Sequence, residues 1–318
     1  MLHTVTIQQN DSGQRVDKFL LKFMPNMPKN MLYKLIRKKD IRLNSARCQG
    51  TEFLKEGDVL TIYAKEEFFK VQPHSNMHFM QASGKLKILH EDKHFLIVYK
   101  PSGVVAHSQE KGIISLLDEV QKYLYQKGEY RPQEEQTFAP ALCNRIDRNT
   151  EGILIAAKNA AALRMMNELI RERQIQKNYI AITSSHLPEH SATCTAFLKK
   201  DEKQNQVFVS DKPLDKNWKL IQTRYEVLEQ NGNLQLVRIT LLTGRTHQIR
   251  AHLAHLGAPL LGDPKYNTTK SHEENQCLCA WELQFPESEN PILSALSGNT
   301  IRTDLPDFVE RYFPNFTV

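Results

Sequence analysis

One acid stands between two permanent cations in the stretch CNRIDRNTEG (Cys143 to Gly152). Asp147 has Arg145 two residues before it and Arg148 directly after it. In an extended segment residues two apart face the same way, so Arg145 and Asp147 are expected on one face. Nearby cations favour the charged form of a carboxylate. Such a group can attack an electrophile or stabilise a cation, but it cannot serve as a general acid. On spacing alone the commoner case is a surface ion pair, which contributes little.

A second cluster lies about a hundred residues later, in LLTGRTHQIRAHLAHLG. A strand runs into Thr243-Gly244, and a helix is expected to begin near Thr246. Arg245, His247, Gln248 and Arg250 crowd its start, where free N–H groups favour anions and guanidinium forks offer paired donors. The histidines His247, His252 and His255 match no zinc spacing and no cysteine supports them, so no metal is expected. A helix start so decorated fits an RNA backbone beside a catalytic acid.

The elements that must position these residues follow from periodicity. LKILHEDKHFLIVYKPSG reads as two strands, and SLLDEVQKYLYQ as a helix. TEGILIAAKN is a strand and AAALRMMNELIRER a helix. KNYIAIT, HSATCTAFLK and NQVFVS are strands, and TRYEVLEQNGNLQLVRITLL is a hairpin turned at Asn-Gly. HQIRAHLAHLG is a helix closed by Gly257. Strands outnumber helices without regular alternation, so the expected class is α+β with a mixed, largely antiparallel sheet over residues 86–318.

A smaller α/β unit is expected over residues 1–65, joined by a linker at 66–85 that lacks periodicity. RVDKFLLKFM places Val16, Phe19, Leu20 and Phe23 at helical spacing, and PKNMLYKLIRKKD repeats the device with Pro28 near its start. From Arg15 to Arg47 ten basic residues face two acids, a net of +8 within a chain of net +6. A concentrated basic patch attracts polyanions by counterion release, and Lys34, Arg37, Lys38 and Arg42 are its candidate RNA contacts. The bland alternative is a solvated helix face.

Composition bounds the rest. With 318 residues, 40% hydrophobic and 25% charged, the chain reads as globular with material for a large core. The opening MLHTVTIQQN has no basic leader before an apolar run, and no run approaches the ~20 residues of a membrane span. Five scattered cysteines form no framework and no CxxC pair, which suggests a reducing cytoplasm. The lack of a P-loop or GxGxxG fingerprint speaks against a nucleotide cofactor. No cofactor of any kind is expected, nor any membrane partner, and the chain is expected to act as a monomer.

NRIDRNTEGILIAAKN, RQIQKNYIAIT and LLTGRTHQIRAHLAHLGAPLLGDPKYN, in that order, resemble the RluA-type pseudouridine synthases. YKPSGVVAH and CLCAWELQFP match the family's earlier and later strands, so the likeness runs from about Leu86 to Pro286. RVDKFL, LYKLIRKKDIRLN and LKEGDVL resemble the S-four RNA-binding domain, a usual companion. The resemblance implies the pseudouridine synthase fold and isomerisation of uridines, mainly in large-subunit ribosomal RNA. It implies a nucleophilic Asp147, and an Arg145 that in some members fills the space of the flipped base. It also implies a Tyr179 that stacks on the target ring and an Arg245 that pairs with the aspartate. His247, Gln248 and Arg250 belong to the same motif as RNA-facing residues. The chain departs from many members at Asn144, where they have His, and at Glu151, where they have Ser. These departures bear on which uridine is chosen.

Two other classes compete. A non-catalytic RNA-binding factor would make Asp147 dispensable. A hydrolase would need a second carboxylate, and Glu151 is the candidate nearest in sequence.

Overall fold

The computed structural model describes every residue except 70–76, 109, 111, 202–205, 270 and 318. At the N-terminus β1 (Leu2–Thr6), α1 (Val16–Phe23), α2 (Lys29–Lys38), β2 (Ile41–Leu43), β3 (Ala46–Arg47) and β4 (Val59–Tyr63) form a four-stranded sheet, order β1-β4-β2-β3, under two helices. Phe19 and Leu20 of α1 and Leu32 and Ile36 of α2 bury the stripe that their spacing implied, against Leu60 and Ile62. The lysines and arginines of α2 are thereby turned outward, and Lys34, Arg37, Lys38 and Arg42 are all exposed.

Of the stretch read as a linker, 70–76 lie outside the described residues. Its later part is not free chain, because Phe79 is buried among Leu116, Val120 and Leu124.

The larger body begins with β5 (Lys87–Glu91), β6 (Phe95–Lys100), α3 (Leu116–Gln126), β7 (Ala141–Leu142), β8 (Glu151–Ala157) and α4 (Ala160–Arg171). It continues with β9 (Gln176–Thr183), β10 (Ser191–Asp201), β11 (Gln206–Ser210), β12 (Lys219–Asn231) and β13 (Leu234–Leu241). α5 (Gln248–His255), β14 (Leu278–Gln284), β15 (Thr300–Arg302) and α6 (Asp307–Tyr312) complete it. The strands join in one sheet of order β11-β10-β12-β13-β9-β14-β8-β6-β5, with β15 beside β14 and β7 beside β8. The α+β class with a largely antiparallel sheet is as expected. The β12–β13 hairpin turns one residue later than read: Asn231 still pairs with Leu234, and Gly232 (φ 58°) opens the two-residue loop.

Alternation along the central strands sets the layers. Ile153 and Ile155 pack on Met166 and Leu169 of α4, whereas Leu154 and Ala156 pack on α3. α5 covers β9, β13 and β14 on the α3 side through Ile249 and Leu253, and α6 packs opposite through Phe308 and Val309. Ile146 touches both the α3 and the α5 clusters, so the loop carrying Asp147 lies in the groove between them.

That groove sits over a seam. β8 and β14 run parallel, the one such pair among the described strands, with Ala280 opposite Gly152. A Cβ at Gly152 would stand 2.2 Å from the Ala280 carbonyl oxygen, and its φ is 118°, so no other residue fits there.

Candidate active site

Asp147 is carried by the loop between β7 and β8, which is fastened at several points. The Asn144 side chain accepts from the Ile155 N–H at 2.8 Å, replacing a strand bond with a side-chain one. Lys100 is fully buried and donates to the carbonyls of Pro101, Val104 and Arg148 at 2.7–2.8 Å. It thereby joins the loop after β6 to the loop of Asp147. Burial lowers its pKa to about 8, against the opposing pull of Glu151 and Asp147. Ser102 Oγ donates to Asn149 O at 2.9 Å and Gln276 donates to Thr150 Oγ1 at 3.1 Å, closing the other side.

The second cluster folds differently from the sequence expectation. His247 adopts a left-handed backbone (φ 54°), so α5 starts at Gln248 instead of near Thr246. Arg250 consequently falls in the first helical turn and points inward, while Arg245 remains on the preceding turn and is exposed. The counter-ion of Asp147 is Arg250, whose Nη1 lies 3.0 Å from Asp147 Oδ2. This corrects the assignment of that ion pair to Arg245. Among the described residues no acid lies within ion-pair reach of Arg245, although it lines the same cavity.

Arg250 is held in turn by a second acid, Asp263, from the GDPKYN stretch. Asp263 Oδ2 and Oδ1 accept from Arg250 Nε and Nη2, both at 2.8 Å, in a bidentate pair. Burial pushes the Asp263 carboxyl up, but Arg250 and the N–H groups of Lys265 and Tyr266 bring it below its ordinary value. Burial likewise opposes the charge on Arg250, and the two carboxylates more than offset it. Tyr266 packs its ring 5.3 Å from the guanidinium carbon and sits edge-on to His247. Its hydroxyl accepts from Val207 N–H at 3.1 Å and lies 2.8 Å from His247 Nδ1. The arrangement that satisfies each donor has Tyr266 donating to Nδ1, so that Nε2–H faces Asp147 Oδ2 at 3.8 Å. Burial, first of all, lowers the His247 pKa and favours neutral imidazole.

Tyr179 reaches the cavity from β9, two residues after Lys177 on the same strand face. It is buried, and burial together with neighbouring Asp147 pushes its phenol above the ordinary range, so it remains a neutral hydroxyl. The cavity lined by Asp147, Tyr179, Lys177, Arg245 and Arg250 has a volume near 320 Å³. A second cavity of about 780 Å³ shares Arg145, Asp147, His247 and Arg250 with it and extends past Arg148 and Lys265. Asp147 therefore stands on the divide between two hollows.

The remaining expected site residues separate. Arg145 is exposed and lines both hollows; Arg148 is exposed and donates to Gly103 O at 3.2 Å. Gln248, expected on RNA, is 2% exposed. Its amide bonds Thr243, Gln222, Thr223 and the Arg245 N–H, so its work is to shape the turn. Lys34, Arg37, Lys38 and Arg42 belong to the N-terminal sheet unit and line neither hollow. His252 is buried against Thr223, and His255 pairs with Asp211. Glu151 accepts from Tyr99 and lines neither hollow, which removes the second carboxylate that a glycosidase would need.

This geometry can be set beside known proteins. The family profile of RNA pseudouridylate synthases matches residues 94–255. The ribosomal large subunit pseudouridine synthase C of Vibrio cholerae is 33% identical over 302 residues, 91% of this chain and 90% of that one. The protein of the same name from Yersinia pestis is 31% identical over 310 residues, covering 96% and 92%. Human RNA pseudouridylate synthase domain containing 4 shares the fold, with a TM-score of 0.55 at 23% identity over 70% of this chain and 89% of that one. The chain belongs to the RluA-type RNA pseudouridine synthase family and is an isomerase acting on RNA.

Proposed function

We propose that this enzyme converts specific uridines of large-subunit ribosomal RNA to pseudouridine in the cytoplasm, with Asp147 as the reactive carboxylate. The relatives that cover nine-tenths of the chain carry that substrate in their names. The observation that carries the role of Asp147 is its placement: the Arg250 and His247 contacts both fall on Oδ2, leaving Oδ1 for substrate in a cavity walled by Tyr179. The reaction breaks the C–N glycosidic bond, turns the base and rejoins it through carbon. Attack on the sugar, attack on the ring and removal of a sugar proton all require an ionised carboxylate.

The target base must leave its stack to reach Asp147, at a cost of roughly a few kcal/mol. A neutral, buried Tyr179 ring suits stacking on the extruded uracil and offsets part of that cost. Exposed Arg145, at the mouth of both hollows, suits the space that the base vacates in the RNA. The N-terminal unit, read as an S-four-type module, would hold neighbouring RNA through Lys34, Arg37, Lys38 and Arg42, all exposed on or beside α2.

Asp147→Asn is expected to abolish isomerisation while RNA binding stays within about twofold of wild type. Carbodiimide-adduct mapping of ribosomal RNA from a deletion strain carrying either gene reads the first, and filter binding reads the second. Full modification by the variant would overturn the role of Asp147.

A further inference from the structure

Four cations line the smaller cavity or its mouth, and they are not equivalent. Arg250 is neutralised by Asp147 and Asp263. Arg145 is exposed and lines both hollows. Lys177 and Arg245 remain, and among the described residues neither has an acid within ion-pair distance or a hydrogen-bond acceptor on its side chain. Lys177 is half-buried, so its ammonium has lost part of its water without gaining an anion, and this desolvation lowers its pKa. Its Nζ lies 3.7 Å from the position of a Cβ on Gly244, next to the backbone of Arg245. Two residues along β9 Tyr179 faces the same hollow.

An uncompensated, partly desolvated cation inside a site that receives a polyanion implies that the anion comes with the substrate. We infer that Lys177, together with Arg245, forms a phosphate subsite that grips a phosphodiester flanking the extruded uridine. This deepens the proposed function and rests on it. The ammonium is a compact point charge suited to a single phosphate oxygen, and the guanidinium of Arg245 is free to take the remaining ones.

The test uses a short RNA stem-loop carrying the uridine located by the mapping experiment. Neutral methylphosphonates are placed singly at the phosphates on either side of that uridine. Conversion of the unmodified RNA by wild type confirms the parent reading first. Wild type is then expected to bind one of the two methylphosphonate RNAs about tenfold more weakly. Lys177→Met should bind unmodified RNA about tenfold more weakly and lose nothing further on that methylphosphonate, with kcat at saturating RNA near wild type. Lys177→Arg should restore most of the affinity, and a thermal melt matching wild type shows that the fold is intact. Additive losses from variant and methylphosphonate, or a fall in kcat with affinity unchanged, would overturn the subsite.

Discussion

Two groups of cations in this molecule look alike in sequence and behave oppositely. Lys34, Arg37, Lys38 and Arg42 lie exposed on or beside α2. Arg250 lies buried at the start of α5 between two carboxylates. Exposed charges act on RNA at a distance, additively and in a salt-dependent way. A buried guanidinium acts only through the two acids it touches, and its geometry matters more than its charge. Under the proposed function, burial and not residue type separates the cations that would attract RNA from the one that would arrange the chemistry.

The contrast can be broken at three points. Arg250→Met removes a partner from fully buried Asp263 and is expected to cost about 3–5 kcal/mol in urea unfolding, with activity lost. Arg250→Met combined with Asp263→Leu should recover much of that stability while activity stays absent, because Asp147 still lacks its counter-ion. Recovered activity in the double variant would show that Arg250 matters only to the fold.

Converting Lys34, Arg37, Lys38 and Arg42 together to Gln should leave unfolding within about 0.5 kcal/mol of wild type. The same change should weaken RNA binding on the order of 10²-fold at physiological salt, and lower the salt slope by about 0.7–0.9 per lost phosphate contact. An unchanged slope would place the N-terminal unit away from RNA.

The smallest effect concerns the inner side of α5. His252 is 1% exposed, and burial lowers its pKa to about 4. A histidine depressed in the folded state binds its proton first in the unfolded chain. Stability is therefore whole above the unfolded value near 6.5 and declines as pH falls, by about 2 kcal/mol at pH 5. His252→Gln should flatten this acid limb in urea titrations between pH 7 and pH 4. An unaltered limb would assign the acid sensitivity to other groups.

Much of this site was legible beforehand, and the errors have a common cause. Asp147 and Tyr179 could be placed because the ordered motifs resemble a family, and strand alternation then set Tyr179 toward the core side. The pairing of Asp147 with Arg245 came from the resemblance, and the same motif holds a second arginine, Arg250, which the delayed start of α5 turns inward. His247 in the left-handed region delays α5, and a histidine, which adopts that conformation more readily than most non-glycine residues but still seldom, marks it only weakly in a sequence. Asp263 was visible in GDPKYN, thirteen positions beyond Arg250, but only folding shows that the turn returns beside the first helical turn. Gln248 was misread because a polar side chain at a helix start can face solvent or lock its own turn, and sequence does not separate these. The bonds of Lys100 and Asn144 could not be read beforehand for a related reason: their partners are backbone groups, which every sequence offers alike.

The parallel pairing of Gly152 with Ala280 lies only a few residues after Asp147. Two antiparallel wings are riveted there, main chain against main chain, with no room for a side chain to act as a shim. The spacing of the sheet beneath Asp147 is thus set by main chain alone, and under the proposed function any adjustment to RNA would fall to the nucleic acid and the loops around the rim.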